Sequence, residues 1–199
     1  VVSLVSYFAT AKPSGFAAGK PPQNFNNSRD AALFYRGLSY VHWTISMEGR
    51  STGWLNQSHY VAVRERLLHT CARWYLCCPV FCLMPDHGHF LFLGLEERAE
   101  QLPALAWFRR EWNELLNPHK QQDQAYDSVL KEDDRKADGF PDLVAYILRN
   151  PVRKDLTENW SEWPYSGCVF PGYPKLDPRK DFFSDNFWTA YNRQNGVKN

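Results

Sequence analysis

No stretch of this chain constrains its fold more than residues 81–94, FCLMPDHGHFLFLG. His87 and His89 sit one residue apart inside an apolar run. In a β-strand, residues two apart project to the same face. The two imidazoles therefore stand side by side, while Gly88, Phe90 and Phe92 face the other way. Pro85 cannot donate to a sheet ladder, so it marks the entry of a strand predicted over 87–93 and ended by Gly94. A strand pair of this kind reads either as two hydrogen-bonded core histidines or as a two-toothed metal clamp.

Around that strand the periodicities lay out further strands and helices. Tyr40, His42, Thr44 and Ser46 alternate with Val41, Trp43, Ile45 and Met47, which predicts a first strand over 38–47. His42 is a third strand histidine, read as a structural or DNA-contacting residue rather than a ligand. Residues 58–74 predict a helix, with Tyr60, Val63, Leu67, Cys71 and Trp74 forming one apolar stripe and Arg66, His69 and Arg73 a solvated face. A second strand over 75–81 runs to a bend near Met84-Pro85-Asp86. Residues 97–117 predict a second helix buried through Leu105, Phe108, Trp112, Leu115 and Leu116, with Arg109 and Arg110 as candidate phosphate contacts. A fourth strand over 126–130 precedes an exposed mixed-charge connection over 131–138. Residues 1–36, broken by Lys12-Pro13-Ser14-Gly15 and Lys20-Pro21-Pro22, read as an N-terminal extension with a short helical turn at 31–35. Residues 157–199, carrying Trp160, Trp163, Tyr165, Phe170 and Tyr173, read as an aromatic, loop-rich tail packed over the domain.

A third helix is predicted from about Pro141 to Asn150, buried through Leu143, Val144, Ile147 and Leu148. Tyr146 and Asn150 are four apart and share a face at the edge of that apolar side. Pro151 disfavours helix at the residue before it, which puts Asn150 at the helix end, where its amide can reach a neighbour. Arg149, Arg153 and Lys154 bring positive charge to the same end.

The length of 199 residues suits one domain with a real core. A net charge of only +1 excludes a global basic signature, so any nucleic-acid contact has to come from local patches. The five cysteines are odd in number and contain no C-x-x-C pair. They read as reduced, buried thiols of a cytosolic protein. They lend little support to a zinc site built from Cys77 or Cys82 with the two histidines. No apolar run approaches membrane-spanning length. Residues 1–9, though apolar, lack the basic start of a signal peptide.

Met84-Pro85-Asp86-His87-Gly88-His89-Phe90-Leu91 resembles the MP(N/D)HxHxL motif of the single-tyrosine HUH transposases, the IS200/IS605-like enzymes and their REP-associated tyrosine transposase branch. Tyr146-Ile147-Leu148-Arg149-Asn150-Pro151-Val152-Arg153 resembles their YIxxNPVR segment. Tyr126-Asp127-Ser128-Val129-Leu130 is similar to the segment before it, and Trp163-Pro164-Tyr165-Ser166 to the WPWSS stretch of the REP-associated branch. The motifs follow the family's order over roughly residues 38–170.

The resemblance implies an α+β, ferredoxin-like fold, an antiparallel sheet with helices packed on it, as the transposase domain over 37–156. It implies Tyr146 as nucleophile and His87 and His89 as metal ligands, with Asn150 in the place of the family's third polar ligand. The implied cofactor is a divalent metal, Mg²⁺ or Mn²⁺. The implied partner is single-stranded or hairpin DNA, cleaved to a 5′-phosphotyrosine and a free 3′-OH and then rejoined. Arg109, Arg110, Arg149, Arg153 and Lys154 are expected to follow the DNA backbone. A cytoplasmic, nucleoid-associated location and a homodimer belong to the same expectation. Gly88 departs from the family, which carries a bulky apolar residue there. Two alternatives stand beside this reading: a domesticated, non-catalytic DNA-binding protein on the same fold, and a small zinc-stabilised interaction domain. The HxHxDH pattern of metallo-β-lactamase-type nucleases does not fit, because the acid here precedes the histidines.

Overall fold

The computed structural model of the chain describes residues 34–129 and 139–196. The connection predicted over 131–138 and nearly all of the N-terminal extension lie outside the described residues.

The chain runs β1 (Tyr40–Ser46), α1 (Gln57–Arg73), β2 (Leu76–Met84), β3 (His87–Gly94), α2 (Gln101–Leu115), β4 (Tyr126–Val129), α3 (Gly139–Leu148), α4 (Asn150–Arg153), β5 (Ser166–Val169) and α5 (Phe183–Gln194). Short 3-10 turns occupy Glu48–Arg50 and Trp160–Glu162. The five strands form one sheet in the order β4-β1-β3-β2-β5, every neighbouring pair antiparallel. The units β1-α1-β2 and β3-α2-β4 interleave in this order, which is the ferredoxin-like arrangement. The fold is α+β, as the resemblance implied.

Each strand presents alternate residues to two separate cores. Against the first face pack α1 and α2, closing over Val41, Trp43, Ile45, Phe81, Leu83, Phe90 and Phe92. α1 is capped by Asn56, whose side chain accepts from the His59 amide, and it buries Val63, Leu67 and Cys71. α2 begins four residues later than its apolar pattern suggested. Pro103 is tolerated only in a first turn, where its missing N–H would have had no partner, and a start at Gln101 places it there. Each large side chain fully buried here is worth roughly 1.5–3 kcal/mol of transfer free energy.

Against the second face pack α3 and α5. Phe140, Leu143, Val144 and Ile147 of α3 and Phe183, Phe187 and Tyr191 of α5 close over Cys77, Val80, Leu91 and Leu93. Pro79 interrupts β2, and the pairing register shifts between Cys77 and Val80. A proline supplies no N–H to the ladder, so the strand bulges there and its inward parity changes. All five cysteines are free and buried. Among the described residues no helix is long and apolar enough to cross a membrane.

The segment predicted as a loop-rich tail supplies two elements. Its β5 extends the sheet beside β2, and its α5 roofs the second core, anchored by Tyr191, whose hydroxyl donates to Gly94 O at 2.7 Å. Four residues of β5 are too few to show an alternation in sequence, and its prolines and aromatics masked both elements. Gly94 itself has no room for a side chain, because a Cβ would lie 1.8 Å from Gly37 O.

Candidate active site

The β2–β3 hairpin turns through Pro85 and Asp86, and three neighbours hold it. Met47 N donates to Asp86 O at 2.9 Å, Leu83 N to Tyr165 O at 2.9 Å, and Trp163 Nε1 to Leu83 O at 2.9 Å. The Trp163-Pro164-Tyr165-Ser166 stretch thus pins the strand end that leads into the histidines.

His87 and His89 lie on the second face, 9% and 6% exposed. Their Nε2 atoms are 3.1 Å apart. His87 Nδ1 is 2.6 Å from Asp86 Oδ1, and Arg50 donates to the same carboxylate from the far side at 3.1 Å. Burial would raise the Asp86 carboxyl, but the His87 hydrogen bond and the charges of His87 and Arg50 hold it below its ordinary value. His89 Nδ1 meets His42 Nε2 at 3.1 Å and Thr44 Oγ1 at 3.2 Å. Burial, then the neighbouring His42 and His87 and the cations Arg153 and Arg50, keep His89 well below the usual imidazole range. Burial also pushes His42 down to about 4. Both rings are therefore neutral at physiological pH, the state in which an imidazole can bind metal.

This geometry fits a divalent ion. Were His87 Nε2 to hold a cation, its Nδ1–H would be directed at Asp86 Oδ1, 2.6 Å away. Two imidazole nitrogens 3.1 Å apart share either a proton or a cation. His87 and His89 are the residues that would hold such an ion through their Nε2 atoms. Among the described residues no group of three or more His, Cys, Asp or Glu side chains is set to hold a metal.

α3 brings Tyr146 to this cluster. Its ring lies edge-on to His42, centroids 6.3 Å apart and planes at 81°, and the Arg153 guanidinium sits 4.7 Å over it. α3 stops at Leu148, Arg149 turns the chain, and the short α4 restarts at Asn150 with Pro151 in its first turn. α3 thus ends two residues before the stop expected at Asn150, and the chain turns helical again there because a proline is acceptable at the start of a new helix. Asn150 Nδ2 donates to Tyr146 O at 3.0 Å and to Ile147 O at 3.2 Å, which orients its Oδ1 away from those carbonyls. The amide is thus fixed to the backbone that carries Tyr146.

The five candidate cations separate. Arg153 is exposed and lies over Tyr146, Lys154 is exposed as the next residue, and Arg149 precedes the same short helix. Arg109 and Arg110 belong to α2, across the sheet from the histidines. Arg109 donates to Gln121 Oε1 at 3.1 Å, to Asp123 O at 2.9 Å and to Gln122 O, so its fork is occupied by the 121–123 loop. Arg110 pairs with Glu111 at 3.0 Å.

His42, read from sequence as structural or DNA-contacting, and Thr44 join the cluster, and Tyr126 stands in its row. His42 and Thr44 reach His89 because β1 pairs with β3 in the register Thr44↔His89 and His42↔Leu91. Their parity along β1 was legible; the register that brings them to His89 was not. Tyr126 pairs with Thr44 from the other side, on edge strand β4, with 62% of its surface exposed. It stands in the same cross-strand row as His89.

Comparison with solved structures bears on this arrangement. A REP-associated tyrosine transposase bound to a REP hairpin superposes with a TM-score of 0.57 at 16% identity, over 66% of this chain and 78% of that one. The two share a fold. A bacterial tRNA(His) guanylyltransferase (Thg1)-like protein in complex with GTP matches with a TM-score of 0.48 at 12% identity, over 83% of this chain and 95% of that one. No protein-family model matches the chain, and no curated protein does.

Proposed function

We propose that this protein is a metal-dependent single-stranded DNA strand transferase that cleaves and rejoins DNA, at hairpin elements, through a 5′-phosphotyrosine on Tyr146. The observation that carries the reading is the placement of Tyr146 against His42, itself 3.1 Å from the buried His87–His89 pair, under the Arg153 guanidinium. The shared fold supports it.

His87 and His89, with Asn150 as the amide nearest in sequence to Tyr146, would hold Mg²⁺ or Mn²⁺. Such an ion supplies Lewis-acid neutralisation of phosphate oxygens. The chain's own residues do the rest. Tyr146 Oη attacks phosphorus, the bond to the 3′-oxygen breaks, and that oxygen leaves as a 3′-OH after taking up a proton. Arg153, 4.7 Å over the ring, lies close enough to bind a phosphate oxygen held against Tyr146. Rejoining is the reverse: a 3′-OH attacks the phosphotyrosine and Tyr146 is released. Because the covalent link conserves the phosphodiester, no nucleotide cofactor is required. Arg149 and Lys154 extend the cationic path, and the exposed Tyr126 ring offers a platform for an unpaired base. Arg109, its donors engaged, is left out of that path.

Incubation with labelled single-stranded hairpin libraries and Mn²⁺ tests the reading. A covalent adduct is expected, with the phosphate on the peptide containing Tyr146. Tyr146→Phe should bind DNA without forming it, and His87→Ala should lose metal-dependent cleavage. An adduct on Tyr126, the one competitor in the histidine row, would reassign the nucleophile. Tight DNA binding with no adduct in any metal would make the protein a non-catalytic binder.

A further inference from the structure

His42 is the one imidazole of the cluster with no part in the scheme above, yet it touches both halves of it. Its Nε2 lies 3.1 Å from His89 Nδ1, and its ring meets Tyr146 at 81° with centroids 6.3 Å apart. It is held there by the middle of β1, which is hydrogen-bonded on both sides, to β3 and to β4.

A histidine that gives Nε2 to a cation must carry its proton on Nδ1, and that proton needs a fixed acceptor. For His87 the acceptor is Asp86, at 2.6 Å. For His89 two atoms are in range, His42 Nε2 and Thr44 Oγ1. The threonine hydroxyl rotates and can donate as well as accept. The His42 nitrogen has a single lone pair in the ring plane, set by the strand.

We infer that His42 is a positioning residue with two duties: its Nε2 accepts the Nδ1–H of His89, which turns the His89 Nε2 toward His87, and its ring braces Tyr146. One side chain would then tie the orientation of a metal ligand to that of the nucleophile. The inference rests on the function proposed above, and it assigns the two duties to different atoms, so two substitutions can separate them. His42→Phe keeps a ring against Tyr146 and removes the acceptor. His42→Gln keeps an acceptor oxygen and removes the ring.

The test is a Mn²⁺ titration of the full chain without DNA, followed by adduct formation at saturating Mn²⁺. His42→Phe should bind Mn²⁺ about 10- to 100-fold more weakly, the usual cost of losing an outer-shell partner, and recover its adduct rate once saturated. His42→Gln should bind Mn²⁺ within about threefold of wild type but form the adduct slowly even when saturated, because Tyr146 is no longer braced. Unchanged Mn²⁺ affinity in His42→Phe with a loss in Thr44→Val would hand the acceptor role to Thr44 and overturn the first duty. A normal saturated rate in His42→Gln would overturn the second. Nitrogen-15 imidazole spectra give a readout independent of metal and of catalysis. A scalar coupling between His42 Nε2 and His89 Nδ1 is expected in wild type, and its absence overturns the inference. Wild-type protein that shows the coupling but binds no Mn²⁺, or His87→Ala that binds it normally, would instead sink the metal reading of the histidine pair.

Discussion

The two faces of the sheet are made by the same strands, residue by residue, and they are built to opposite specifications. β3 sends Gly88, Phe90 and Phe92 to one side and His87, His89, Leu91 and Leu93 to the other. The first face is a dry aromatic scaffold. Trp54, Trp112, Phe81, Phe90, Phe92 and Phe108 are all buried in it to within 2%. The fully buried amide of Gln101 is satisfied there by Trp43 Nε1, Ser39 and Phe92 O. The second face is divided along its length. Under α3 and α5 it is apolar, but where α3 ends it turns polar, with His42, Thr44, His87 and His89 side by side. A buried polar cluster of this kind is costly unless its backing is rigid and its hydrogen bonds are met. One side of the sheet holds the strands in place so that the other can hold its polar side chains in fixed positions.

Gly88 is where the two specifications touch. A Cβ there would lie 2.8 Å from Phe90 Cε2 and 3.1 Å from Trp112 Cη2. The absence of a side chain at Gly88 therefore does not leave the strand loose. Trp112 of α2 fills the space directly behind the histidine pair, packed on Phe90 at 5.6 Å and on Trp54 at 5.5 Å.

This contrast can be broken from its scaffold side. Trp112→Ala should have the largest effect, a loss of about 3–5 kcal/mol in chemical denaturation. It should also weaken Mn²⁺ binding at the opposite face while the protein is still folded. Metal affinity that survives the substitution intact would mean that the faces are energetically independent.

A smaller effect is expected from filling the space instead. Gly88→Val overpacks against Phe90 and Trp112 and should cost about 1–3 kcal/mol. Paired with Trp112→Leu it should recover part of that loss, and a strictly additive double mutant would show that Trp112 is not what the valine meets.

The arginines sharpen the contrast with the smallest changes. Arg109→Ala, on the scaffold side, should lower stability by about 1–2 kcal/mol through its lost hydrogen bonds to the 121–123 loop. It should leave the salt dependence of DNA binding unchanged. Arg153→Ala should do the reverse, with little change in thermal midpoint and a salt slope reduced by about one. Equal salt slopes in the two variants would remove the distinction between a structural and a DNA-facing arginine.

Much of this was legible in the chain before any tertiary structure. The side-by-side placement of His87 and His89 follows from the two-residue period of a strand, and the buried stripes of α1 and α3 follow from the helical period. The helical period also set Tyr146 and Asn150 near one another, and the Asn150 amide does reach Tyr146 O although the helix breaks between them. These are local facts, set by backbone geometry within a few residues. Tertiary structure alone decided the rest. His42 and His89 are 47 residues apart in the chain, and their contact exists only in one register of β1 on β3. A slip of one residue in that register would turn His42 toward α2. Arg109 was chosen by its charge, but the loop at 121–123 captured its donors. The strand at Ser166–Val169 is too short to announce itself and is a strand because β2 has a free edge beside it. Periodicity records which way a side chain points; which partner it meets depends on how distant segments bury their apolar faces together, and no local pattern carries that.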